Sequence, residues 1–239
     1  MKKFYKQAEG GTAPGGYTVR LDGQTLRTPL RHPVLVPSAA LAAAMAAEWD
    51  AQAGEIVTAS MPLTQLVCTM IDKADSHERA EMNAEIVKYA SSDLVCYLAL
   101  NPAELVARQE ALWHPLLGWL QDEYGVVLQP VKGIQYVQQP ADSLKKIADI
   151  VANLDAARFT AAQVVTGVTG SAVIALCMAS GRIGAAQAYD AATVDEVFQL
   201  EKWGEDAIAR KRLERIEGEL TAVEKFLFLM KGGEATASA

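Results

Sequence analysis

Cysteine, histidine and basic residues are all scarce in this 239-residue chain, and each scarcity removes a class of function. The three cysteines, Cys68, Cys96 and Cys177, are odd in number and lie inside apolar stretches. They read as buried thiols of a reducing compartment, not as a disulfide framework. None has a second Cys or His at ligand spacing, so a metal site is unsupported. Of the three histidines, His32 lies in a Pro-flanked loop, His77 opens a charged helix and His114 adjoins Trp113. No pair has the H-x-x-x-H spacing that sets two ligands on one helix face. A nucleophile elbow is missing, and Gly167-Val168-Thr169-Gly170-Ser171 has no following Lys, so close helix packing explains it better than phosphate binding. With 22 Lys and Arg against 29 Asp and Glu, the net charge of -7 argues against nucleic acid as a partner. After Met1-Lys2-Lys3-Phe4-Tyr5-Lys6 come polar residues, not the apolar core of a secretory signal. The most apolar stretch, Val164 to Ala179, falls short of the roughly 20 residues that span a bilayer.

What is present is material for a core, since hydrophobic residues make up 51% of the chain. Tyr17-Thr18-Val19-Arg20-Leu21 alternates like a half-buried strand, Asp22-Gly23 is a hairpin turn, and Thr25 to Thr28 returns. Val34-Leu35-Val36 and Phe4-Tyr5 are placed as further short strands, with Gly10-Gly11 and Gly15-Gly16 in a flexible loop before the hairpin.

From Ser38 onward the period is helical. Ser38 caps a helix bearing Leu41, Met45 and Trp49; Ser60 caps the next; a third begins after Ser76. Asn101-Pro102-Ala103-Glu104 reads as cap, N1 proline and third-position Glu of a helix that kinks or breaks at Pro115 and stops at Gly125. Val126 to Val137 is a connector, and Leu144 to Leu154 a shorter helix. Thr160 to Ser180 is expected as one buried central helix, with Gly167, Gly170, Ser171 and Ala175 allowing close neighbours. One long helix or a pair follows from Ala185 to about Met230, ending in a stripe of Leu213, Ile216, Leu220, Val223, Leu227 and Met230. The fold class is therefore α+β: a small N-terminal antiparallel β domain over 1–37, a larger all-α domain over 38–231, and a tail over 232–239.

Two places hold unusual residues. In Glu48-Trp49-Asp50-Ala51-Gln52, Trp49 falls on the apolar stripe, and Trp49 and Asp50 are read as structural. In Asp195 to Asp206, the carboxylates lie within apolar stripes, where an unpaired charge is costly. They meet an internal cation such as Lys202 or Arg210, or solvent, or a partner protein.

Taken in order, several segments resemble the ATP synthase assembly chaperones of the ATP12 type, which attend the alpha subunit of the catalytic head. They are Phe4-Tyr5-Lys6, Val19-Arg20-Leu21-Asp22-Gly23 with Thr28-Pro29, Val36-Pro37-Ser38, Leu41-Ala42 leading to Ala47-Glu48-Trp49-Asp50-Ala51-Gln52, Met61-Pro62-Leu63-Thr64, Tyr89 with Asp93-Leu94 and Cys96-Tyr97, and Asp195-Glu196 with Gln199 and Trp203-Gly204-Glu205-Asp206. The resemblance implies a protein-binding chaperone, not an enzyme, with no cofactor, no membrane insertion and a bacterial cytoplasmic site of action. By the same resemblance it is expected to hold the alpha subunit of the F-type ATP synthase, covering its beta-binding surface until the hexamer forms. Glu196, Glu201, Glu205, Asp206 and Trp203 are the expected partner-binding residues. Gln199 is expected to be structural and the protein to be a monomer. The competing reading is a small enzyme with a carboxylate site at the domain junction.

Overall fold

The computed structural model describes residues 1–74, 77–204 and 206–232. Ser76, Glu205 and all of the expected tail beyond Gly232 lie outside them. By packing, the chain forms two compact units, one of residues 1–79 with 222–239 and one of residues 80–221.

The first unit opens with a three-stranded antiparallel sheet of β1 (Ala8–Ala13), β2 (Gly16–Leu21) and β3 (Gln24–Thr25), in that order. The β2–β3 turn is Asp22-Gly23, with φ of 48° and 81°. Both signs match the mirror-image hairpin turn that suits strand twist. The Asp22 carboxylate also accepts the backbone N–H groups of Lys6 and Gln7.

β1 corrects the expected flexible loop. Gly10 is needed because helix α1 (Ala39–Asp50) lies directly on the strand. A Cβ on Gly10 would come within 3.1–3.3 Å of the Ala42 and Ala43 backbone. Phe4-Tyr5 is not a strand. Instead, the Tyr5 hydroxyl donates to the Trp49 carbonyl at 2.6 Å, and the two rings meet edge to face.

Ser38 caps α1, its hydroxyl accepting from Leu41 N. The next helix, α2 (Pro62–Lys73), is not capped by Ser60. The Glu48 carboxylate of α1 accepts the Leu63 and Thr64 N–H groups at 2.7 and 2.8 Å, so one helix caps the next. A carboxylate at a helix N-terminus also meets the positive end of the dipole. Gln52 closes the corner by donating to Glu48 O and Ser60 Oγ and accepting from Val57 N. Pro37 therefore marks a change of secondary structure, while the packing of this unit continues through α1 and α2.

The second unit holds α3 from Ala80 onward (Arg79–Ala90), α4 (Ala103–Tyr124), α5 (Ala141–Ala152), α6 (Ala156–Thr169), α7 (Ala172–Ala179), α8 (Ala185–Trp203) and the first part of α9 (Ala207–Met230). Two short strands, β4 (Tyr97–Leu98) and β5 (Val131–Lys132), pair in parallel. α4 starts after Pro102, which is its N-cap and not N1, and runs through Pro115 as one helix to the left-handed Gly125. α9 buries Leu213, Ile216, Leu220 and Val223 as expected. Beyond Ala222, where the chain passes to the first unit, Phe226 and Leu229 are buried in place of Leu227 and Met230.

The expected central helix is two. Gly170 adopts φ +74° and ends α6, and Ser171 caps α7 by accepting Ile174 N. Glycine serves here for its backbone, since a Cβ at Gly167 or Gly170 would meet nothing within 4 Å. Fully buried Asp93 fixes the break: its carboxylate accepts the Ser171 hydroxyl at 2.5 Å, Val173 N at 3.1 Å and Val95 N at 3.2 Å. Every residue of α7 is buried, and α7 packs on α4, α6 and α8.

Candidate partner-binding surface

α8 is fastened to α4 from its buried middle to its exposed end. Trp113, fully buried, donates its indole N–H to the Ala191 carbonyl at 2.8 Å. Gln109, 1% exposed, donates to Asp195 Oδ1 at 2.6 Å and accepts Ala99 N at 2.7 Å. Burial pushes the Asp195 carboxyl above its ordinary value, and neighbouring Glu196 adds to this, against the pull of the Gln109 bond.

Nearer the end of α8 the ties are ionic. Arg108 bridges Glu201 at 2.7 Å and Glu104 at 2.9 Å, and Lys202 reaches Glu104 at 2.9 Å. Both cations lie over the Phe198 ring, 5.2 and 5.3 Å from its centre. The Lys202 hydrogen bond, helped by Arg108, holds Glu104 below the usual carboxylate range, and the Glu201 bond raises Arg108. These side chains are all partly exposed, and water screens such pairs so that they add little to stability. Glu196 pairs with Arg212 of α9.

Beside these ties lies an open hollow of about 320 Å³ between α4 and α8, with Leu112, Val194 and Val197 in its wall and Arg108 and Asp190 as its charges. α8 then ends at Trp203, which is 80% exposed, and Gly204 turns the chain with φ +92°. The Asp206 carboxylate accepts Ile208 N at 2.9 Å at the start of α9, and Ile208 is 81% exposed.

The expected site residues thus fall unevenly. Glu201 and Glu196 have internal cations, though these are Arg108 and Arg212, not Lys202 or Arg210. Asp206 and Trp203 are exposed at the α8–α9 joint, and Glu205 lies outside the described residues. Gln199, read as structural, is exposed on α8. Trp49 is buried, whereas Asp50 is exposed and offers its carbonyl to Lys3. The sequence does not mark Arg108 or Gln109, whose partners on α8 stand 93 and 86 residues away, and it shows Glu104 only as an acid of the first helical turn, because its partner Lys202 is 98 residues on. Among the described residues no group of three His, Cys, Asp or Glu could hold a metal, and no helix is long and apolar enough to cross a membrane.

The family model of the ATP12 chaperone protein matches residues 2–121. The crystal structure of Atp12 from Paracoccus denitrificans is similar over 96% of this chain and 98% of its own, at 32% identity and a TM-score of 0.85. A point variant of the Paracoccus protein matches with the same score and identity, over 96% of this chain and 97% of its own. The Atu1473 protein of Agrobacterium tumefaciens, described as a candidate chaperone, is similar over 95% of this chain and 85% of its own, at 36% identity and a TM-score of 0.83. Over this length and at this identity the likeness reaches beyond fold, and the chain belongs to the ATP12 chaperone family.

Proposed function

We propose that this chaperone serves ATP synthase assembly by binding the unassembled alpha subunit of the F-type catalytic head, covering its beta-binding surface until the hexamer forms. It acts as a monomer in the bacterial cytoplasm, without cofactor and without catalysis. The contact is made by the end of α8 and the start of α9, through Trp203, Glu196, Glu201, Glu205 and Asp206. The observation that carries this reading is the exposure of Trp203 and Ile208 on either side of Gly204, with carboxylates flanking them. Trp is favoured at interface centres because one rigid side chain buries a large apolar area. Carboxylates around it orient a basic partner face and speed encounter.

The test is a pull-down of alpha, expressed without beta, on the immobilised chaperone. Alpha should be retained and should leave when beta is added. Glu196→Lys should weaken retention while leaving the circular dichroism spectrum and melting curve near wild type. Failure of folded alpha to bind would remove the assignment of the client. Normal binding by Glu196→Lys would remove Glu196 from the contact.

A further inference from the structure

The acidic net charge hides a basic end. Residues 1–37 carry six Lys and Arg against two acidic residues, while the rest carries 16 against 27. Within this basic segment, loop 29–33 is held with unusual care. Asp72 of α2, itself buried, accepts the Thr28 hydroxyl at 2.6 Å and Leu30 N at 3.2 Å, and its Oδ1 lies 2.9 Å from His32 Nδ1. Thr28 and His32 exchange further bonds, Thr28 N to His32 O and His32 N to Thr28 Oγ1. The Arg27 guanidinium donates to the Arg31 carbonyl at 2.8 Å. Arg31 sits at φ +71°, where a side chain with a Cβ is strained.

All of this order is spent on a loop whose side chains face water. Leu30 is 60% exposed, and Arg27, Arg31 and His32 are exposed around it. Strain held at an exposed loop points to use, since a preorganised surface loses less freedom on binding. We propose that loop 29–33, with Arg27 beside it, is a docking surface for an acidic protein segment that places an apolar side chain on Leu30 between its carboxylates. Charge complementarity selects this occupant, because the exposed Leu30 lies in a short segment with two exposed arginines, Arg27 and Arg31, and no carboxylate. Nucleic acid binding rests on neutralising a row of phosphates, and two arginines are too few cations for that. One leucine is also too small an anchor for a lipid surface. The surface belongs to a different compact unit from Trp203, so the proposal does not rest on the client named above.

The probe is a short fluorescein-labelled peptide of alternating glutamate and leucine, titrated with the full chain and read by anisotropy. Wild type should bind it, and Arg31→Glu should weaken binding roughly tenfold, the size expected for reversing one interfacial charge. Arg31→Gly removes the guanidinium yet suits the positive φ, so it should bind several-fold more weakly while melting no lower than wild type. That variant separates lost recognition from lost folding. The proposal is overturned if wild type does not bind the peptide, if Arg31→Glu binds it equally, or if a lysine–leucine peptide binds as well. Two further results would overturn it by naming another occupant. One is a wild-type dimer that Arg31→Glu dissolves, giving a second copy. The other is Arg31-dependent binding to phosphatidylserine vesicles, giving a membrane.

Discussion

Asp93→Asn changes no volume but removes one acceptor from the hub that separates α6 from α7. The carboxylate presents Oδ1 to the Ser171 hydroxyl and Val95 N–H, and Oδ2 to Val173 N–H. An asparagine has one oxygen and one NH₂, so in either orientation a backbone N–H faces a donor. One buried N–H left without an acceptor costs about 1–3 kcal/mol. The ionised aspartate, however, carries its own cost, because complete burial pushes its pKa up to about 6 against the four bonds that lower it. The protonated carboxyl can donate to Ser171 Oγ while both its oxygens still accept. Between the unfolded value of 3.8 and about 6, the folded state binds more protons than the unfolded one. Stability from this group is therefore greatest below about pH 4 and lost as pH rises through about 6, a change of roughly 3 kcal/mol for a shift of about two pKa units. Asparagine does not titrate. Urea unfolding of wild type and Asp93→Asn, followed by circular dichroism, should show a modest difference at about pH 7 and one larger by up to about 3 kcal/mol at about pH 4. A difference that is constant, or that widens with rising pH, would refute the account of the hub.

Three other perturbations follow from the geometry. Glu48→Ala leaves the first N–H groups of α2 without their carboxylate, so the melting temperature should fall by an amount equivalent to about 1–2 kcal/mol. Gly10→Ala drives a Cβ against the α1 backbone, where nothing flexible can yield, and should cost about 1–3 kcal/mol in thermal unfolding; a neutral result would mean that α1 shifts freely on the sheet. Trp203→Ala should leave stability within about 0.5 kcal/mol, since the side chain is already 80% exposed, yet reduce alpha-subunit capture by roughly tenfold or more.

What the sequence made legible followed from local physics. The Asp22-Gly23 turn, the Ser38 cap and the Gly125 stop each need only neighbouring residues, and all three stand where the spacing predicts them. The misreadings share another cause. β1 reads as loop because glycine is a poor strand former, and only the α1 backbone lying on it explains Gly10. The apolar run from Thr160 to Ser180 reads as one helix because Asp93, 78 residues before Ser171, supplies the acceptor that makes the break stable. The candidate site divides in the same way. The carboxylates of α8 stand out in sequence because they interrupt an apolar stripe. Their cations do not, since Arg108 is 93 residues from Glu201 and Arg212 is 16 from Glu196.

Those ion pairs bear on how a chaperone of this kind would let go. An exposed pair contributes little, so a client arginine or lysine could take Glu201 from Arg108 at small cost, and Arg108 could return when the client leaves. A fully buried carboxylate such as Asp93 could not exchange in this way, because breaking its contacts strands charge and donors in the core. If the proposed function holds, binding charge at the exposed end of α8 and burying charge at the start of α7 would separate the reversible function from the permanent fold. Under the proposed function, then, raising ionic strength should weaken client capture well before it lowers the melting temperature.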